Sequence, residues 1–118
     1  MKVAHPEQLT FEKFSALLKT KFRVCREPAR DLELELVEAT ATPAKVRADS
    51  HGGAARFEGF SLIFTGPGDC LLPQGPYRFE HDRVGRFELF LVPIGRGPDT
   101  IGYEVVFNRL CREAPPPV

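Results

Sequence analysis

Residues 32–40 read "LELELVEAT", and the first five alternate between leucine and glutamate without a break. A period of two sends successive side chains to opposite faces of an extended chain, so Leu32, Leu34 and Leu36 share one face and Glu33 and Glu35 the other. On a helix the same residues would spread around the axis and leave no apolar stripe. The stretch is therefore read as a strand with one buried face, and such a strand requires a sheet to lie in. The pattern recurs in "FEGFSLIF", with Phe60, Leu62 and Phe64 inward, in "YRFEH", with Tyr77 and Phe79 inward, and in "YEVVFN", with Tyr103, Val105 and Phe107 inward. "RFELFLVP" differs: Phe87, Leu89 and Leu91 make one apolar face, but Phe90 and Val92 make the opposite face apolar as well. That strand is expected to be central or covered on its second side by a helix, another strand or a partner.

One segment reads as a helix. In "LTFEKFSALLKTKF", Thr10 is placed to cap, Leu9 and Phe14 stand where a hydrophobic staple joins, and Phe11, Phe14, Leu17 and Leu18 recur at helical spacing over about 11–20. Clusters rich in Gly, Pro and Asp separate the apolar runs, and the stretch 41–56, small, polar and glycine-bearing, is expected to be a mobile loop. The reading is an N-terminal extension over 1–8, one β-rich domain over 9–110 and a proline-rich tail over 111–118. Five or six strands after one helix imply a mainly β (α+β) fold, an antiparallel barrel or sandwich with the helix across one end or face. The expected core contains Phe14, Leu18, Leu34, Leu36, Leu62, Phe64, Phe79, Leu89, Leu91, Val105 and Phe107.

Composition narrows the functional classes. A chain of 118 residues is long enough to build a core without staples. Its 16 basic and 16 acidic residues cancel, leaving no overall field to draw it onto nucleic acid or an anionic membrane. The cluster Lys19, Lys21, Arg23 and Arg26 reads as the solvated face of a helix end and strand. Three cysteines, Cys25, Cys70 and Cys111, are odd in number and widely spaced, as expected of free thiols in a reducing compartment. No segment approaches the roughly 20 apolar residues of a membrane helix and "MKVAHPEQ" lacks a secretory apolar run, so a cytoplasmic location is expected. His5, His51 and His81 are scattered without ligand spacing, so no metal or other cofactor is expected.

The stretch "LLPQGPYRFEH", residues 71–81, is the most distinctive in the chain. Pro73, Gln74 and Gly75 suit a type II turn, with either Gln74 or Gly75 at its positive-φ position. Gln74 is read as a buried amide tying a loop to two strands, and His81 as a strand-end donor to a nearby carbonyl. A Cys70 nucleophile with His81 as base would lack a third orienting group and has apolar Leu71 and Leu72 beside the thiol, so no catalytic residue is expected. "GPGD" at 66–69 follows a strand without opening a helix and reads as a turn rather than a phosphate cradle. For the hairpin joining the signature strand to "GRFELFLVP", paired residue numbers summing to 166 would align Arg78 with Glu88 and Glu80 with Arg86. A sum of 168 would place Gly85 at the left-handed position of a three-residue loop. The cost of a wrong residue at that position favours 168, with Phe90 opposite Arg78.

Taken together, "LTFEKFSALLKTKF", "LELELVEAT", "FSLIFTGP", "LLPQGPYRFEH", "GRFELFLVPIG" and "YEVVFN" resemble a family of small bacterial proteins known only as a domain of unknown function. The resemblance spans Leu9 to Asn108 and implies no catalytic residue. It implies a role beside phage-tail-like or fibre-like assemblies. The expected function is thus a non-catalytic protein-binding or scaffold module whose partner is another protein, with self-association into a homo-oligomer as a weaker reading. The alternative is a small-ligand binder or enzyme with a pocket near Gln74, Tyr77 and His81. Candidate binding residues are Gln74, Tyr77, His81 and Phe90.

Overall fold

The computed structural model describes residues 9–26, 29–48 and 54–112. A short helix, α1 (Phe11–Ser15), precedes six strands: β1 (Lys21–Cys25), β2 (Leu32–Ala48), β3 (Ala54–Pro67), β4 (Gly75–His81), β5 (Gly85–Arg96) and β6 (Thr100–Arg112). Every pairing is antiparallel, and the order β1-β2-β3-β6-β5-β4 closes on itself as a barrel. The barrel is the outcome of the two architectures expected, and α1 is its single described helix.

Alternation builds the core as anticipated. Leu32, Leu34, Leu36, Phe60, Leu62, Phe64, Phe79, Phe87, Leu89, Leu91, Tyr103 and Val105 all point inward and are buried, and half-buried Phe107 packs against them. Each such side chain stabilises the fold by roughly 1.5–3 kcal/mol relative to exposure. The strict alternation of β2 ends at Val37, where a bulge shifts the register between Leu36↔Phe64 and Glu38↔Ile63. The extra residue hands the inward position from even to odd numbers, so that Ala39 rather than Glu38 lies opposite Leu62. β1, "KFRVC", is the strand whose solvated face the basic cluster was read as forming, and its Phe22 and Val24, outside the expected core, are fully buried.

Three expectations about the backbone are corrected. The helix expected over 11–20 stops at Ser15 and continues as turns to Lys19. Helical spacing fails there, so Leu17 is buried while Leu18, placed in the expected core, is exposed. Lys19 adopts φ 68°, which reverses the chain into β1, and its amide donates to Leu36 O at 2.7 Å. A side chain in that region costs about 1–2 kcal/mol. Lys19→Gly is therefore expected to stabilise the fold by about 0.5–1 kcal/mol once the greater freedom of glycine in the unfolded chain is deducted, read as a higher urea midpoint.

The second correction is to the expected loop at 41–56. β2 runs to Ala48 and β3 starts at Ala54, with Ala48↔Ala54 paired. Residues 49–53 of that loop lie outside the described residues. So do the 1–8 extension and residues 113–118 of the expected tail, while residues 111 and 112 belong to β6.

The third correction is the β4–β5 register. The pairs Gly75↔Leu91, Arg78↔Glu88, Glu80↔Arg86 and His81↔Gly85 sum to 166, not 168. The case for 168 assumed that Gly85 had to sit in the loop to use a positive φ. Instead Gly85 takes φ 103° as the first strand residue, opposite His81, behind a tight turn in which Val84 N donates to His81 O at 3.2 Å. The glycine requirement and the charge pairing are thus satisfied together, and Arg86 Nε reaches Glu80 Oε1 at 3.0 Å. Phe90 consequently lies opposite Pro76, not Arg78.

Closure of the barrel is uneven. The β5–β6 ladder starts at Val92↔Glu104 and runs toward Arg96↔Ile101, while residues 85–91 of β5 pair only with β4 among the described strands. Beyond Val92 and Glu104 the described residues form no further β5–β6 pair. α1 supplies what the ladder lacks: Phe14, 1% exposed, sets its ring 6.1 Å from that of Phe87 on β5 and 5.6 Å from that of Phe107 on β6.

Candidate binding surface

The signature residues divide between the two ends of β4. Gly75 opens the strand with an extended φ of 159°, and Gln74 precedes it, exposed rather than buried as a tie between strands. Tyr77 is half-buried and donates its hydroxyl to Pro73 O at 2.6 Å, folding the loop back on the strand. Burial pushes the Tyr77 hydroxyl pKa up, and Tyr103 adds to this while Arg26 opposes it. His81 ends the strand. Six steps of about 3.3 Å separate it from Gly75, roughly 20 Å, so Gln74 and His81 do not share a pocket.

The loop before β4 hangs on Tyr103, a fully buried residue of β6 whose hydroxyl accepts from Leu72 N at 3.1 Å and donates to Cys70 O at 3.3 Å. Leu72 is buried with it. Tyr103→Phe would orphan that amide, and is expected to cost about 1–3 kcal/mol, measured by urea unfolding. Cys70 is turned to Arg26, whose Nη1 lies 3.1 Å from the sulfur, while Arg26 Nε donates to Arg30 O. Cys25 and Cys70 are both free thiols, and burial pushes that of Cys25 up. Of "GPGD", expected to be a turn, Gly66 and Pro67 end β3 and only Gly68 and Asp69 turn: Gly68 N donates to Asp99 O at 2.9 Å, and a Cβ on Gly68 would meet the Asp99 carbonyl carbon at 2.9 Å. The open concavity here, about 500 Å³, is lined by Pro67, Gly68, Asp69, Arg96, Gly97, Pro98 and Asp99.

His81 is buried, its ring centroid 4.4 Å from that of Phe22. Its partners are not the carbonyl that was expected. Nδ1 accepts from Arg83 N at 3.1 Å, and Nε2 lies 2.9 Å from Thr20 Oγ1. The single hydroxyl proton of Thr20 goes to Leu17 O at 2.6 Å, so Oγ1 must accept from Nε2–H, which makes the ring neutral with its proton on Nε2. Burial lowers the His81 pKa from 6.5; Asp82 favours the charged ring, and Arg83 and Arg23 oppose it. Sequence reasoning missed Thr20 because it lies 61 residues away.

The basic cluster is largely compensated. Arg23 Nη2 holds Asp82 at 2.9 Å and its Nε lies 3.7 Å from Glu80, while Lys21 Nζ is 3.5 Å from Glu35. Among the described residues no group of three or more His, Cys, Asp or Glu is placed to hold a metal, and no helix is long and apolar enough to cross a membrane.

Phe90 is the candidate apolar side chain offered to solvent. It is 52% exposed, and α1 does not cover it. Other apolar side chains stand along the same outer face, with Glu88 and Glu104 among them. Val92, half-buried, follows two residues on; Ile94, 52% exposed, comes next and packs beside Gly102; Val106, 62% exposed, stands two residues past Glu104 on β6. Because Val92 pairs with Glu104, Phe90 and Val106 each stand two residues beyond the end of the β5–β6 ladder.

A family profile described as a domain of unknown function, DUF6916, matches residues 9–107, from the helix staple to the inward Phe107 of β6. The chain belongs to the DUF6916 family. Comparison of this DUF6916 chain with curated proteins and with solved structures found no match. The matched span takes in α1 and every interior residue described above, together with Phe90, Ile94 and Val106.

Proposed function

We propose that this protein is a non-catalytic binding module that contacts another protein through the outer face of β5 and β6, as an accessory component of a tail-like or fibre-like assembly in the bacterial cytoplasm. The observation that carries the reading is Phe90, Ile94 and Val106, three large apolar side chains each more than half exposed on the outer face of β5 and β6, about the end of the β5–β6 ladder. Apolar side chains scattered singly need no explanation, but a contiguous group on one face of a sheet marks an interaction site. An aromatic residue at the centre of such a patch is the kind of anchor that dominates interface energetics. The charged residues beside it, Arg86 and Glu88, suit a polar rim.

The alternative, a ligand pocket near Gln74, Tyr77 and His81, is weakened by their separation along β4 and by the use of both His81 ring nitrogens in holding the fold. Co-purification with the products of neighbouring genes tests the proposal. Wild-type protein should retain a partner that Phe90→Glu with Ile94→Glu does not, with unchanged circular dichroism. Equal retention by both would refute it.

A further inference from the structure

We infer that two copies of this chain join edge to edge along β5, through the stretch from Arg86 to Phe90 that β6 leaves unpaired. In an antiparallel pair, residues alternate between those that exchange both backbone bonds with the residue opposite and those whose N–H and C=O point to the other side of the strand. Two prolines set the phase. Pro76 stands opposite Phe90, and Pro93 follows beyond Gly75↔Leu91, where the β4–β5 ladder ends. Neither has an N–H to give, and neither is asked for one if 76↔90 is a pair of the second kind. Arg86, Glu88 and Phe90 then turn their N–H and C=O groups away from β4, and no described residue of β6 pairs with them.

α1 does not take the place of a strand there. Its segment spends the amides of Lys13, Phe14, Ala16, Leu17 and Leu18 on bonds within itself, and Phe14 reaches Phe87 with a ring alone. An open edge is a template for another strand, which proline or a bulge commonly blunts. On β5 both come only past the open stretch, at Pro93 and between Pro93 and Gly95.

The charges on the edge select its occupant. Arg86, Glu88 and Phe90 are all exposed on the outer face. A twofold axis at Phe87 sets Arg86 opposite Glu88 of the second copy and Glu88 opposite Arg86 of the second copy, both as hydrogen-bonded pairs, and brings Phe90 opposite Val84 of the second copy. An axis at Glu88 would instead set two carboxylates face to face, and one at Leu89 would set Glu88 against Phe90. The edge is thus complementary to itself in one register. Both charges are available for it: Arg86 gives its Nε to Glu80 and keeps its Nη groups, with the side chain 48% exposed, while Glu88 has no ion pair among the described residues although Arg78 stands opposite. The inference concerns the backbone edge and does not rest on the partner proposed for the outer face, so either can fail without the other.

Sedimentation equilibrium of the full chain tests it. The wild type should pass from monomer to dimer between low-micromolar and millimolar protein, since a contact of this length lies at the small end of specific interfaces. Arg86→Glu and Glu88→Arg each set like charges opposite one another twice in the dimer, and each should raise the dimer Kd about tenfold. Mixing the two variants in equal amounts should restore dimer to the wild-type level, because each then meets the opposite charge, whereas a folding defect would not be cured by mixing. Amide exchange by NMR locates the contact: protection at Arg86, Glu88 and Phe90 should rise with protein concentration. A wild type that stays monomeric, single variants that dimerise as well as the wild type or are not rescued by mixing, or edge amides equally protected at every concentration because the chain itself covers them, would each overturn the inference.

Discussion

Phe14→Ala is expected to destabilise the protein by about 3–5 kcal/mol, the range for emptying a buried aromatic site. Phe14 is 1% exposed and its ring sits within 6.3 Å of those of Phe22, Phe60, Phe87 and Phe107, which come from β1, β3, β5 and β6. Phe14 is the buried residue of α1, while Phe11 is half-buried and, among the described ring pairs, meets Phe60. Since β5 and β6 are not laddered beyond Val92 and Glu104, the lost ring leaves a cavity that the backbone cannot close by hydrogen bonding. Urea denaturation gives the value. A loss below about 1 kcal/mol, typical of mutations outside the core, would mean that α1 is not what closes the barrel.

Leu89→Ala is expected to cost about 2–5 kcal/mol, whereas Phe90→Ser, one residue on, should stay within about 0.5 kcal/mol, the usual surface value. Leu89 is 3% exposed inside the barrel, opposite Tyr77, and Phe90 is 52% exposed outside, opposite Pro76. In a strand one step reverses the face, so the contrast depends on β5 lying as described. Chemical denaturation of the two variants under the same conditions measures it, and comparable losses would indicate that Phe90 is covered in the free protein.

The inner surface of the barrel was legible because a period of two is a property of the extended backbone and needs no tertiary information. The residues that escaped did so where that period is short, broken or overridden. β1 has five residues wedged between a helix signal and a turn, so Phe22 and Val24 could not establish an alternation of their own. Leu18 looked buried because helical spacing from Phe14 reaches it, but the helix ends at Ser15 and the chain turns before that spacing applies. The β4–β5 register was misjudged by setting the needs of Gly85 against those of the charged pairs, when a positive φ at the first strand residue meets both. Candidate-site residues fared according to the reach of their contacts. Phe90 was recognisable from the doubly apolar strand, though not whether the helix would cover it. Gln74 and His81 were quoted as parts of one motif, yet one is exposed at the start of β4 and the other is buried at its end against Thr20.

One face of β5 builds the barrel, and under the proposed function the other contacts a partner. Measuring unfolding free energy and partner retention side by side in Leu89→Ala and Phe90→Glu tests this most directly. The predicted outcome is a crossed pattern: Leu89→Ala loses stability but, while folded, keeps the partner, and Phe90→Glu keeps its stability but loses the partner. Retention of the partner by Phe90→Glu at the wild-type level, or destabilisation of that variant on the scale of Leu89→Ala, would contradict the account.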